Sequence, residues 1–136
     1  MRKINLIVLH CSATKDTQTY TPEQLERDHK ARGFIQAGYH FYIRRNGEIV
    51  SMRPVEQIPA HAKGFNRNSI AICYEGGLDV TGKPKDTRTI KQKESIRILF
   101  LLLLTHYPGA RICGDRDLGA HKACPCFNAE EEYANL

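Results

Sequence analysis

The sequence predicts one α/β domain over residues 1–136, a mixed β-sheet flanked by α-helices. Three observations lead there. Short apolar runs and two capped helical segments follow one another in the order β-α-β-β-loop-β-α-β. An Asn46-Gly47 pair joins two of the runs and marks an antiparallel hairpin. The length of 136 residues and the hydrophobic fraction of 41% suit one core and no more.

Residues 4–10 form an apolar run that ends in a polar cluster, as a buried strand does. Side-chain alternation then sends His10 and Cys11 to opposite faces, so a His10 facing a site leaves Cys11 facing the interior. Thr21-Pro22-Glu23-Gln24 starts a helix: Thr21 caps, Pro22 presets φ and Gln24 completes a capping box. Gly33 ends that helix. Leu25 and Phe34 are expected to dock on the core and His29 to lie at the surface. Residues 38–44 form a second strand with Tyr39 and Phe41 on one face and His40 and Tyr42 on the other. Residues 48–52 return antiparallel. The stretch 54–68 is polar and too long for a tight turn, and reads as a binding loop. Residues 69–74 give another core strand. Thr89-Ile90-Lys91-Gln92 repeats the capping signature and opens a helix to His106. Its seven consecutive apolar residues, 98–104, imply a helix packed on the sheet and covered elsewhere. Pro108-Gly109 stops it, and a short strand over 110–113 follows. Residues 128–136 are expected to add a last helical turn.

Composition narrows the function classes. The net charge of +5 favours a polyanionic partner. The basic residues form no stripe, which argues against nucleic acid. No apolar run approaches a membrane span, so membrane insertion is not expected. The first nine residues lack a secretory h-region and a cleavage site, so synthesis in the cytoplasm without a signal peptide is expected. Five cysteines, an odd number, with no export signal argue against a disulfide framework.

Residues 113–127 concentrate potential metal ligands: Cys113, Asp115, Asp117, His121, Cys124 and Cys126, with Lys122 among them. A catalytic zinc takes three ligands from histidine, cysteine and carboxylate and leaves a position for water. His10 and Cys124 are the best first two, one at a strand end and one in this loop. The spacing is not that of a zinc finger. Taken singly, each residue has an ordinary structural role open to it.

Four blocks occur in order: 10–15 (His-Cys-Ser-Ala-Thr-Lys), 38–41 (Gly-Tyr-His-Phe), 61–70 (His-Ala-Lys-Gly-Phe-Asn-Arg-Asn-Ser-Ile) and 122–125 (Lys-Ala-Cys-Pro). Together they resemble the zinc-dependent N-acetylmuramoyl-L-alanine amidases, in the branch of the T7-type phage lysozymes related to the peptidoglycan recognition proteins. The resemblance covers nearly the whole chain. It implies a mixed sheet flanked by helices, a Zn2+ cofactor, peptidoglycan or muropeptides as partner, and hydrolysis of the amide between N-acetylmuramic acid and L-alanine. It also implies His10 and Cys124 as zinc ligands, Tyr39 and Lys122 as catalytic residues, and His61 and Asn66 as groove-lining residues. A monomer is expected, acting on the cell wall after release or export by another system.

Two departures stand out. The family carries its second histidine ligand in a Gly-His-Arg-Asp-Leu segment, whereas this chain has Asp115 there. Asp115 ranks first as the replacement ligand; His121 or Cys126 are alternatives, and a metal-poor, non-hydrolytic peptidoglycan-binding module is the runner-up. A carboxylate oxygen lies as many bonds from Cα as histidine Nδ1, so the replacement requires coordination through Nδ1. Other amidase branches carry glutamate where this chain has Cys73; Cys73 reads as a core residue, and Glu75 as a strand-end carboxylate in the solvent or near the cleft.

Overall fold

The computed structural model describes residues 2–119 and 122–136. Its central feature is a five-stranded mixed sheet in the order β4-β3-β5-β1-β7. The strands are β1 (Leu6–Cys11), β2 (Thr14–Lys15), β3 (Phe41–Ile43), β4 (Ile49–Ser51), β5 (Ser69–Tyr74), β6 (Gly77–Leu78) and β7 (Arg111–Gly114). Strand β1 lies between β5 and β7 and runs parallel to both. Strands β3 and β5 are parallel, and β3 and β4 form the antiparallel hairpin expected at Asn46-Gly47. All six residues of β1 and of β5 are buried, as strands covered on both faces should be. The short parallel pair β2–β6 forms a separate ribbon and has no counterpart in the sequence pattern.

Helix α1 (Pro22–Ala31) and helix α2 (Ile90–His106) begin at Thr21 and Thr89, and both capping boxes form in full. Alternation along the strands divides the core. Ile7, Leu9 and Cys11 of β1, Ile70, Ile72 and Tyr74 of β5, and Ile112 of β7 face α2, where Ile96, Leu99, Phe100 and Leu103 cover them. The short helix α3 (Ala129–Glu132) completes that side. On the other side Leu25 of α1 packs with Ala37, Tyr42 and Cys73. A third small cluster joins Leu6, Val8 and Cys113 to Phe65 and Leu118.

Four expectations need correction. Strand β3 begins only at Phe41, so alternation does not extend back to Tyr39: Tyr39 packs beside Tyr42, while Phe41 faces the α2 side. Helix α2 is covered on the sheet side alone; Ile98, Leu101 and Leu102 are 54%, 39% and 56% exposed. His29 is buried rather than superficial, because it lies one helical turn beyond Leu25 on the same face. Glu75 is neither solvated nor in the cleft: it is 2% exposed and is bonded by Arg44 Nε at 2.9 Å and by the backbone N–H groups of Tyr20 and Arg45. Cys73 is fully buried, as expected of a core residue.

Burial alone would raise the pKa of Glu75, but Arg44 and the two backbone donors outweigh it and hold the carboxyl below its ordinary value. A depressed folded-state pKa contributes stability that is present above the unfolded value near 4.5 and lost as pH falls through the folded value. Glu75→Gln is therefore expected to cost about 1–3 kcal/mol at pH 7. The gap between wild type and variant should shrink on acidification below pH 4.5. Denaturant unfolding at pH 7 and pH 3.5 measures both; a gap that widens in acid refutes the assignment.

Candidate metal centre and groove

The register of β1 and β7 builds the site. Leu9 pairs with Gly114, so the next residues, His10 and Asp115, emerge side by side at the carboxyl ends of two parallel strands. That edge is where open α/β sheets place their ligands. His10 belongs to the face of β1 opposite the α2 core, and Asp115 continues the alternation of Cys113, which faces the same way. His10 Nδ1 lies 3.6 Å from Asp115 Oδ2.

The chain then turns through a 3-10 helix, Asp115–Leu118, and brings Cys124 back over the strand ends. Arg116 N–H donates to Cys124 O at 2.9 Å, which ties the segments that carry Asp115 and Cys124 together. Gly114 makes the approach possible: a Cβ there would meet Pro125 Cδ at 2.6 Å. Cys11 N–H donates to Cys124 Sγ at 3.1 Å. The result is one His-Asp-Cys group, His10, Asp115 and Cys124, whose donor atoms lie within 4.8 Å of one another. Two donors of a tetrahedral zinc site stand about 3.4 Å apart, given bonds of about 2.0–2.2 Å. The His10–Asp115 distance fits that value, and nitrogen, carboxylate oxygen and thiolate sulfur are all accepted zinc donors. The residues present therefore fit a zinc ion with one position left open. The Nδ1 of His10 is the atom turned toward Asp115.

Burial would raise the pKa of Asp115, but the neighbouring His10, with the charge of Lys122 adding to its effect, holds it below the ordinary carboxylate range. The alternative ligand Cys126 is placed elsewhere, with its Sγ bonded to Gly77 O at 3.1 Å and 3.8 Å from Cys11 Sγ. His121, the other alternative, lies outside the described residues.

Around the cluster runs a cleft of about 510 Å³ lined by Tyr39, His61, Asn66 and Lys122 among others. The site residues expected from the sequence thus come together in one place. Tyr39 stacks at 5.0 Å from His10 and 5.2 Å from His29. Burial of its hydroxyl, reinforced by Cys73, Cys124 and Asp115, raises its pKa well above the ordinary value, so it stays protonated. Lys122 is exposed at the rim. Asn66 Oδ1 accepts from the N–H groups of His61 and Ala62, both at 3.0 Å, and so closes the loop that carries His61. Burial, with the charge of His10 behind it, pushes His61 down to about 2, leaving a neutral imidazole.

The sequence reading missed His29, Arg32 and Phe34, which form one wall of the cleft. The i,i+4 spacing of Leu25 and His29 was the available signal for a buried His29. Its Nδ1 accepts Gly38 N–H at 2.8 Å, and Ala60 N–H donates to Gly38 O at 3.1 Å. Gly38 thereby joins α1, Tyr39 and the His61 loop, and a Cβ there would sit 2.1 Å from Ala60 O.

Residues 1–127 match the family model described as N-acetylmuramoyl-L-alanine amidase. The chain belongs to that family. It is 40% identical over 122 residues to the endolysin of Escherichia phage T7, covering 90% of this chain and 80% of that one. An uncharacterized protein of Haemophilus influenzae is 36% identical over 109 residues, 67% of this chain and 94% of that one. Among solved structures, the amidase LysC from Clostridium intestinale superposes with a TM-score of 0.82 at 29% identity, covering 97% of this chain and 83% of LysC. Bumblebee PGRP-SA shares the fold, with a TM-score of 0.81 at 18% identity, over 100% of this chain and 83% of that one.

Gly38→Ala is expected to lower stability by about 1–3 kcal/mol, because backbone rather than a flexible side chain must give way. It should also separate Tyr39 from the His61 loop. Thermal unfolding reads the first effect and tyrosine fluorescence the second; an unchanged melting temperature would show that the three-way junction is not tightly packed.

Proposed function

We propose that this amidase is a zinc-dependent peptidoglycan hydrolase that cleaves the bond between the lactyl group of N-acetylmuramic acid and L-alanine. The observation that carries the reading is the His10-Asp115-Cys124 group on the floor of a cleft, in a chain of the amidase family. His10 Nδ1, an Asp115 oxygen and the Cys124 thiolate would hold the ion. Zinc in that position polarises a carbonyl and makes water a competent nucleophile near neutral pH.

The remaining chemistry belongs to the chain. Cys11 N–H bonds the Cys124 sulfur and fixes its direction. The Lys122 charge favours the ionised form of Asp115, the form that would act as a donor. The Tyr39 hydroxyl stays protonated and offers a hydrogen bond to an oxygen that gains negative charge. Lys122 offers a full positive charge at the rim for the same oxygen or for a substrate carboxylate. The neutral His61 and the loop closed by Asn66 form the groove wall opposite Arg32 and Phe34. A basic groove suits an anionic cell-wall polymer, and no described helix is long and apolar enough to cross a membrane.

Purified protein is expected to carry one zinc per chain and to release a free L-alanine amine from muropeptides; Asp115→Ala should lose both. Zinc-free protein that still binds muropeptides would instead establish a binding module with an impaired centre. Tyr39→Phe and Lys122→Ala should each lower kcat by about 10²-fold with smaller changes in KM.

Asp115 also has an electrostatic consequence. Histidine, histidine and thiolate would leave zinc a formal charge of +1, whereas histidine, carboxylate and thiolate cancel it. The weaker Lewis acid predicts that Asp115→His raises turnover by up to about tenfold, or moves the pH optimum downward. A pH–rate profile with an equal or lower rate throughout would refute this.

A further inference from the structure

His61 stands at the groove wall, but its ring is committed elsewhere. His61 Nδ1 lies 2.6 Å from His10 Nε2, and His61 Nε2 lies 2.7 Å from Ser69 Oγ. Ser69 is fully buried at the start of β5, where it pairs with Leu6 on the strand that ends in His10. The three side chains thus form a line that starts at the strand end and returns to the same sheet.

Proton positions along that line follow from the chemistry. A neutral imidazole that gives Nδ1 to a metal must carry its proton on Nε2. His10 Nε2–H then has one acceptor in reach, His61 Nδ1, so His61 must carry its own proton on Nε2 and donate it to Ser69 Oγ. Every link has a single compatible direction once His10 is a ligand. The Asn66 clamp on the His61 and Ala62 amides holds the ring at the required place.

We propose that His61 and Ser69 are positioning residues that lock the tautomer and ring orientation of His10 for metal binding, so that His61 acts on the metal through His10 rather than as a substrate contact. This rests on the proposed zinc centre. Partners of this kind, bonded to the distal nitrogen of a ligand histidine, typically change metal affinity by about 10–100-fold when removed.

The test is zinc affinity by competition with a chromophoric chelator, together with ¹⁵N-histidine NMR of the zinc-loaded protein. His61→Leu is expected to weaken zinc binding by about 10–100-fold. His61→Asn, whose Oδ1 is as many bonds from Cα as Nδ1, should recover most of that loss. Ser69→Ala, which frees the His61 tautomer, should fall between wild type and His61→Leu. The NMR spectrum of the wild type should show His61 protonated at Nε2 and not at Nδ1, a readout that needs no variant. Equal zinc affinity of wild type and His61→Leu overturns the proposal, as does an Nδ1-protonated His61 in the zinc-loaded wild type. A wild type that binds no zinc overturns the zinc centre itself, which keeps the two failures apart.

Discussion

The site depends on one constraint, the parallel register of the first and last strands. Pairing Leu9 with Gly114 leaves His10 and Asp115 as neighbours past the end of the ladder. A shift of one residue would turn His10 into the α2 core and Cys11 toward the cleft, since side chains alternate along a regular strand. The register is well protected. Ile7 and Leu9 on one face and Leu6 and Val8 on the other are all buried, so slippage would strand apolar groups on the wrong side of both layers. The same packing that stabilises the sheet therefore sets the backbone positions of His10 and Asp115.

The third member of the group, Cys124, comes from a loop, and loops are less constrained than strands. Here the constraint is supplied by specific bonds. Arg116 N–H to Cys124 O, Cys11 N–H to Cys124 Sγ and the Tyr74 hydroxyl to Pro125 O at 2.6 Å fasten the loop at three points to the turn after β7, to β1 and to β5. Downstream, Arg88 grips α3 through Glu132 and Tyr133 while stacking 3.4 Å over Phe127, so the segment leaving the site is also anchored. A sulfur held this way is already in place, which would reduce the ordering that binding of the proposed ion must impose.

Local chemistry made much of this legible in the sequence. Both helix starts were readable because capping boxes are encoded within four residues. The hairpin was readable because Asn-Gly demands its own turn. Residues that meet only through the tertiary fold were less visible. Tyr39 sits just before β3, where a period of two does not apply, and the face assigned from alternation was wrong. Glu75 reads as an ordinary strand-end carboxylate, and its burial depends on Arg44 and two amides that no short-range pattern links to it. The run of leucines in α2 implied full coverage, but the sheet reaches one side of the helix only. His10, Asp115 and Cys124 could be nominated from motif order, yet their convergence needed the register, which lies between strands separated by most of the chain.

The same geometry explains how a carboxylate can stand where the resemblance places histidine. Asp115 Oδ2 and a histidine Nδ1 share their distance in bonds from Cα, so the backbone after β7 need not move. What differs is the far side of the group. An imidazole at 115 would present a distal N–H that requires an acceptor, the part proposed for His61 beside His10. Asp115 presents a second oxygen instead, which carries charge and can accept. Its neighbours answer that charge: His10 and Lys122 both favour the ionised form, enough to overcome the cost of burial. The exchange is therefore isosteric toward the strand end and electrostatic toward its surroundings, and Lys122 serves two demands at once, stabilising the ionised Asp115 and facing the groove.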